Sequence, residues 1–167
     1  MNKKLHFLSG LPRSGSTVLA AILNQNPQTH VSTTSGLTEA LGSLVNAWDG
    51  GILGGTDPNR ERLVQTMRGT IDAFYETTDK PVVVDKSRGW PAPAIINTMS
   101  KVIGNKPKII ATVRSVPDCM ASFTRVAKPD NLDEFMQTSP LTDHLKESYM
   151  NLQQGLEAAP ECFLIVE

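Results

Sequence analysis

The sequence lacks several features that mark specialised classes of protein. Its 167 residues include only two cysteines, Cys119 and Cys162, which fit neither a metal-binding spacing nor a disulfide framework. Aromatic residues make up 5% of the chain, and the formal net charge is only -1. Such a charge gives no general attraction to nucleic acid or to an anionic membrane. We therefore expect reduced thiols, no nucleic-acid partner, and a local site for any anionic ligand.

Long apolar runs are also absent. The first apolar run, residues 5–8, is far too short for the hydrophobic segment of a secretion signal or for a membrane-spanning helix. We therefore expect a cytoplasmic protein with no membrane partner. The length and a hydrophobic content of 40% are typical of one soluble globular domain, and we expect residues 1–167 to form a single one.

Strand-like and helix-like segments alternate along the chain, a pattern that predicts an α/β fold with a mainly parallel central sheet. Apolar segments predict strands at residues 5–9, 81–85, 108–113 and 162–166, with a strand or a loop at 28–35. Helical spacing and start signals predict helices at 16–24, 37–48, 57–77, 93–103, 117–126 and 132–156, the last with a break near Ser139-Pro140. The four glycines within residues 49–57 predict a mobile surface loop.

The strongest functional signal is the segment 9–17, SGLPRSGST, between the first predicted strand and the first predicted helix. Its glycines let backbone N–H groups approach an anion closely, and the helix that follows adds unpaired N–H groups and the positive end of its dipole. Arg13 adds a planar cation suited to phosphate or sulfate, and Ser16 and Thr17 add hydroxyl donors. The segment predicts a binding loop for a phosphorylated nucleotide rather than a glycine turn that merely caps a helix.

This loop differs from the usual ATP and GTP pattern, G-x-x-x-x-G-K-[ST]. Gly10 and Gly15 have its spacing, but Ser16 occupies the lysine position and the basic residue comes earlier, at Arg13. One alternative stays open, because the apolar run 81–85 ends in Asp85, and an acid at that place resembles the metal-organising acid of nucleotide hydrolases. In that alternative the chain is a nucleotide kinase or hydrolase that uses Asp85 and magnesium.

A second cluster of polar residues follows a later strand. The segment 109–114, IIATVR, ends in Arg114, and Ser122 comes eight residues later on the next predicted helix. Arg114 is expected at the carboxyl edge of the sheet, where open α/β sheets bind ligands. Structural explanations compete with a binding role: a salt bridge from Arg114 to Asp118, and a bond from Ser122 back to its own helical turn.

Together these segments resemble the sulfotransferase superfamily, most closely its tyrosylprotein and bacterial branches. The segment 11–17, LPRSGST, is similar to the loop that holds the 5′-phosphate and sulfuryl group of 3′-phosphoadenosine-5′-phosphosulfate (PAPS). The resemblance implies a three-layer P-loop fold with helices on both sides of the sheet. It also implies sulfuryl transfer from PAPS to a hydroxyl or amine acceptor, with no metal required. The residues that it assigns to the 5′ end are Arg13, Ser14, Gly15, Ser16 and Thr17.

The resemblance extends to the other phosphate of the nucleotide. In the family, a strand-Arg-x-x-x-Asp-x-x-x-Ser signature grips the 3′-phosphate, and this role passes to Arg114 and Ser122. Lys86 and Ser87 resemble the Lys-Ser that follows the middle strand in related enzymes, which implies that Lys86 neutralises charge on the leaving phosphate. With Arg13, Lys86 is therefore a candidate catalytic residue.

Two features depart from the family pattern. In the tyrosylprotein branch the general base is a glutamate shortly after the first helix, whereas the corresponding segment 32–35, STTS, holds no carboxylate. Glu39 is the first candidate for the base, and His30 and Asp85 are the other candidates. The competing structural explanation is that Glu39 is simply a solvated residue of its helix. The resemblance also reaches residue 167, where family members continue with further helices.

We therefore expect a C-terminally incomplete domain whose edge is open to pairing with a second copy, as a homodimer. A non-catalytic nucleotide-binding module is a further alternative. Trp90 is expected to anchor a loop in the core rather than to stack on adenine or on the acceptor.

Overall fold

A computed structural model of the chain describes residues 3–49 and 57–167. The glycine-rich loop predicted for residues 49–57 lies outside this described part, apart from its two end residues. The sheet has five strands, all parallel, in the order β2-β3-β1-β4-β5. These strands are β1 Lys4–Gly10, β2 Thr29–Thr34, β3 Val82–Lys86, β4 Ile109–Thr112 and β5 Phe163–Val166. The prediction of an α/β fold with a mainly parallel sheet is confirmed, and residues 28–35 contain a strand.

The helices follow the predicted pattern closely. They are α1 Ser16–Leu23, α2 Leu37–Asp49, α3 Asp57–Phe74, α4 Pro93–Ile103, α5 Val116–Ala127, α6 Leu132–Thr138 and α7 Pro140–Ala158. The predicted break near Ser139-Pro140 separates α6 from α7, because the Ser139 hydroxyl caps α7 and Pro140 takes a first-turn position. α3 ends at Phe74 rather than at the predicted residue 77. No helix in the described ranges is both long enough and apolar enough to cross a membrane.

Helices cover both faces of the sheet, which makes three layers. One face buries Phe7, Val83 and Ile109 against side chains of α2, α3 and α4. The other face buries Leu8 and Val84 against α1. Because the central strands are buried on both faces, their sequences are continuous apolar runs rather than alternating ones.

The strand order creates a crevice at the carboxyl ends of β1 and β4. These two strands are neighbours in the sheet, with Gly10 in register with Thr112. From β1 the chain runs towards β2 at one edge of the sheet, whereas from β4 it runs towards β5 at the other edge. The two loops therefore diverge and leave an opening between them, which is where open α/β sheets bind ligands. Both predicted anion-binding segments begin at this point.

α7 packs closely against the loop that follows β3. A side chain at Gly155 would overlap the carbonyl oxygen of Pro91 and approach the ring of Phe163. The absence of a side chain at this buried position thus lets the helix lie directly on the loop. The same loop and helix form part of the functional site described below.

We expect Gly155→Ala to lower the free energy of unfolding by about 1–3 kcal/mol, because the added methyl overpacks this contact. Gly69→Ala is the matched control, since Gly69 is exposed on α3 and has no atom within 4 Å of its would-be side chain. That change should raise the free energy of unfolding by about 0.5–1 kcal/mol through helix propensity. Urea unfolding measures the change in the free energy of unfolding for each variant. Changes of the same sign in the two variants would contradict the close packing of α7.

Candidate functional site

The loop between β1 and α1 is held in an unusual backbone shape. Its φ angles are positive at Gly10 (139°), Arg13 (65°) and Gly15 (98°). Glycine adopts such angles freely, whereas Arg13 does so only where surrounding contacts impose it. At Gly10 a side chain would run into Thr112, since the Leu11 N–H donates to the Thr112 carbonyl at 2.9 Å. The loop is therefore shaped by its close approach to the end of β4.

The N-terminus of α1 is open. Gly15 caps the helix without a side-chain hydrogen bond, and no atom lies within 4 Å of the position that a side chain there would occupy. The first N–H groups of the helix, at Ser16 and Thr17, carry the positive end of the helix dipole. This is the geometry in which helix N-termini bind phosphate or sulfate groups.

Ser14 links the loop to the sheet. Its hydroxyl lies 2.5 Å from the Leu11 carbonyl oxygen, 2.9 Å from the Thr112 carbonyl oxygen and 2.6 Å from the Thr112 hydroxyl. These internal contacts occupy the hydroxyl of a residue that the resemblance assigned to the 5′ end of the nucleotide. Ser14 therefore shapes the loop through β4, whereas Thr17, in the first turn of α1, is exposed.

The two predicted anion-binding motifs meet. Arg13 Nε donates to Ser122 Oγ at 3.0 Å, across 109 residues of sequence. Arg114 Nη1 lies 3.5 Å from the carbonyl oxygen of Arg13, and its Nε lies 3.8 Å from Asp118 Oδ2. The salt bridge to Asp118 that competed as an explanation of Arg114 is thus present. The structural explanation offered for Ser122 was a hydrogen bond within its own helical turn. Its hydroxyl instead accepts a hydrogen bond from Arg13.

Lys86 brings the third motif to the same place. Its Nζ donates to Thr17 Oγ1 at 2.9 Å, and its backbone N–H donates to Ser32 Oγ at 2.8 Å. Partial burial lowers the pKa of the Lys86 ammonium below its ordinary value, and the nearby charge of Arg88 lowers it further. The end of β3 thus places a cation beside the first turn of α1.

Asp85 is fully buried and serves as a hydrogen-bond acceptor for three segments. Oδ1 accepts from Ser35 Oγ at 2.7 Å and from Trp90 Nε1 at 2.8 Å, and Oδ2 accepts from the Tyr75 hydroxyl. Burial raises the pKa of the Asp85 carboxyl, whereas the three donors act to lower it. Both oxygens are engaged away from solvent. Asp85 is therefore not placed to act as a base or to hold magnesium.

Trp90 is the loop anchor that the sequence favoured. Only 1% of its surface is exposed, and its ring lies 4.3 Å from that of Phe7, measured between centroids. With its indole N–H bonded to Asp85, it has no free face for adenine or for an acceptor. It fixes the loop after β3 in the core.

A cavity of about 280 Å³ opens beside the carboxyl ends of β2 and β3. Glu39, in the first turn of α2, contributes one wall, and its carboxylate accepts from Thr38 Oγ1 at 2.8 Å. The Thr38 hydroxyl also contacts that of Ser87 at 2.6 Å, which ties α2 to the loop after β3. The polar lining residues are Thr34, Glu39, Ser87, Arg88, His144, Glu147, Ser148 and Asn151.

Of the three candidate bases, Glu39 is the one that lines this cavity. His30 pairs with Val83 in the first half of β2 and packs its ring against Tyr75, with centroids 5.9 Å apart. His30 therefore lies towards the other end of the strand, and Asp85 is sealed in the core.

The contribution of α7 was missed by the reasoning from sequence. His144, Glu147, Ser148 and Asn151 all line the cavity. They are spaced at i, i+3, i+4 and i+7, so they form one polar stripe on the helix. That spacing was visible in the sequence, but nothing in it indicated that the stripe faces the ends of β2 and β3.

Neither the protein-family models nor the curated proteins contain a match to this chain. Among solved structures, the chain is similar to a sulfotransferase domain from the curacin biosynthetic pathway, with 16% identity and a TM-score of 0.50. That match covers 99% of this chain and 67% of the other. A tunicamycin resistance protein from Deinococcus radiodurans matches at 14% identity over 95% of each chain, but its TM-score of 0.43 carries no argument. The comparison confirms a sulfotransferase-like, P-loop-type α/β fold and extends to the fold alone.

We expect Tyr75→Phe to lower the free energy of unfolding by about 1–3 kcal/mol, because it leaves an oxygen of buried Asp85 without its donor. Tyr149→Phe removes the same hydroxyl from an exposed position on α7, where the effect should stay within about 0.5 kcal/mol. Thermal and urea unfolding compare the two variants. Equal effects would show that the bond to Asp85 does not stabilise the fold.

We expect the Lys86 amine to lose its proton at a lower pH than an ordinary lysine, whose pKa is 10.5. Arg88→Gln should move the pKa of Lys86 upward, because it removes a neighbouring positive charge. Reductive methylation with ¹³C and an NMR pH titration of the labelled amine measure both values. A Lys86 pKa at or above the ordinary value, or one unchanged by Arg88→Gln, would contradict the described surroundings of this side chain.

Proposed function

We propose that this protein is a sulfotransferase that moves a sulfuryl group from PAPS to a hydroxyl or amine acceptor. The observation that carries the proposal is the contact between the two anion-binding motifs, with Arg13 Nε 3.0 Å from Ser122 Oγ. PAPS bears phosphate groups at both the 5′ and the 3′ positions of a single ribose. A protein that recognises it therefore needs two anion sites close together. The contact supports the proposal because it brings the two predicted anion-binding motifs together at the crevice between β1 and β4.

The 5′ end of the nucleotide is assigned to the loop and to the start of α1. Gly15, Ser16 and Thr17 offer backbone N–H groups at an open helix N-terminus, and Arg13 offers a guanidinium group. Ser14 supports this end indirectly, because its bonds to Thr112 hold the loop in shape. The sulfuryl group would then lie near the first turn of α1, within reach of Lys86.

The 3′-phosphate is assigned to Arg114 and Ser122. The ion pair that Arg114 forms with Asp118 spans 3.8 Å between side chains that are 43% and 59% exposed. Such an exposed pair contributes about 0–1 kcal/mol, so a phosphate can replace it readily. Charge-assisted hydrogen bonds from a guanidinium group to phosphate oxygens are stronger than this exposed ion pair, and they can be bidentate. Arg114 therefore gains more from the ligand than it loses.

The proposed transfer is an in-line displacement at sulfur. The acceptor oxygen or nitrogen forms a bond to sulfur while the bond from sulfur to the 5′-phosphate oxygen breaks, and its electron pair stays on that oxygen. Lys86 stabilises the negative charge that develops there, and Arg13 assists. Glu39 takes the proton that the acceptor loses. The products are the sulfated acceptor and 3′-phosphoadenosine-5′-phosphate, and the reaction requires no metal ion.

The kinase or hydrolase alternative loses the residue on which it depended. It assigned magnesium to Asp85, whose two oxygens are bonded to Ser35, Trp90 and Tyr75 in the core. The position after Gly15 is also a serine, where a nucleoside triphosphatase has lysine.

We expect 3′-phosphoadenosine-5′-phosphate to bind in a calorimetric titration, and Arg114→Ala to weaken that binding about tenfold or more through loss of a charged contact to the 3′-phosphate. Arg125→Ala is the matched control, since Arg125 lies in the last turn of α5 and should leave the affinity unchanged. ATP with magnesium, which lacks the 3′-phosphate, should bind at least about tenfold more weakly for the same reason. A preference for ATP with magnesium would overturn the assignment to PAPS, and equal effects of the two arginine variants would remove Arg114 from the site.

A further inference from the structure

The cavity beside Glu39 contains polar groups that the fold itself does not use. The side chains of Arg88, Glu147 and Asn151 line it, and they form no hydrogen bond or ion pair with any residue in the described ranges. The Thr34 hydroxyl also lines the cavity, and it likewise forms no hydrogen bond with any residue in the described ranges. Polar groups with no internal partner that converge on one cavity are available to a ligand.

The charges around the cavity are arranged asymmetrically. Glu39 on α2 and Glu147 on α7 supply two carboxylates, whereas Arg88, close to Lys86, supplies a permanent positive charge. A cationic group on a ligand is therefore repelled from the β3 end and attracted to α7. An apolar ligand would remove water from both carboxylates without replacing their hydrogen bonds, at a large cost in free energy.

The size of the cavity limits the ligand further. About 280 Å³ lies just below the range for small-molecule clefts, roughly 300–1,000 Å³. A single sugar-sized group fits this space.

We propose that this cavity is the acceptor subsite, and that it takes a small polyhydroxylated acceptor bearing a protonated primary amine. The assignment of an acceptor rests on the proposed sulfotransferase function. The ammonium group binds Glu147, and hydroxyl groups bind Asn151 and Thr34. This orientation turns a further hydroxyl towards Glu39 and Lys86, where the sulfuryl group is transferred. The anchoring amine keeps its proton, so a hydroxyl is the nucleophile.

The test is an NMR titration with D-glucosamine at a pH where its amine is protonated, with D-glucose as the neutral equivalent and 4-nitrophenol as the apolar probe. Each probe is titrated with and without saturating 3′-phosphoadenosine-5′-phosphate. We expect glucosamine to bind at least about tenfold more tightly than either other probe, because a charge-assisted bond replaces a neutral one. Glu147→Gln should weaken glucosamine binding by a similar factor and leave the affinity for the bisphosphate unchanged.

Glu157→Gln is the matched control, because it makes the same chemical change on α7 about 15 Å further along the helix. It should alter neither affinity, and thermal unfolding confirms that both variants fold. Binding of glucose or 4-nitrophenol as tight as that of glucosamine, or an unchanged affinity in Glu147→Gln, would overturn the amine-bearing acceptor even if the bisphosphate binds. Glucosamine binding in a protein that does not bind the bisphosphate would instead overturn the sulfotransferase function, and the acceptor role with it.

Discussion

The hydrogen bonds that converge on the buried carboxyl of Asp85 hold together the part of the molecule on which the site depends. The donors are Ser35 from the loop before α2, Tyr75 from just beyond α3, and Trp90 from the loop after β3. Because a buried carboxyl is costly unless its oxygens are bonded, these three segments are constrained to meet around it. The constraint fixes both the start of α2, which carries Glu39, and the end of β3, which carries Lys86. Asp85, which the sequence suggested as a candidate base, therefore holds in place the segments that carry Glu39 and Lys86, the residues proposed for catalysis.

The site also depends on the close approach of β1 and β4, which brings two segments that are distant in the sequence to one crevice. Gly10 permits this approach, and Ser14 secures it through Thr112. The same approach carries Arg13 to Ser122. The proximity of the two proposed anion sites is thus a consequence of strand order, because the motifs follow two strands that are neighbours only in the folded sheet. Lys86, from the strand on the other side of β1, completes the positive surroundings.

Much of this arrangement could be predicted from the sequence, because its signals are local. The apolar runs of β1, β3 and β4 and the cap at Ser139-Pro140 indicate their own structure, and a strand followed by SGLPRSGST indicates an anion site. What could not be predicted depends on contacts between distant segments. Nothing near Asp85 in the sequence shows that Tyr75 and Ser35 will saturate its oxygens. Likewise, the spacing of the polar stripe on α7 is the same as that of any solvated helix face. Only the fold shows that this stripe lies opposite Glu39.

The link between Ser14 and Thr112 also bears on the order in which the molecule acquires its shape. The loop that follows β1 is synthesised well before its partners, because its hydrogen bonds reach residues 112 and 122. Until β4 and α5 have left the ribosome, the loop has no partner to hold Arg13 in its left-handed conformation. Since β1 pairs in the described sheet with β3 and β4, which follow it in the chain, this central strand stays unpaired until they have been made. The proposed anion site is therefore expected to form only after β4 and α5 have been made.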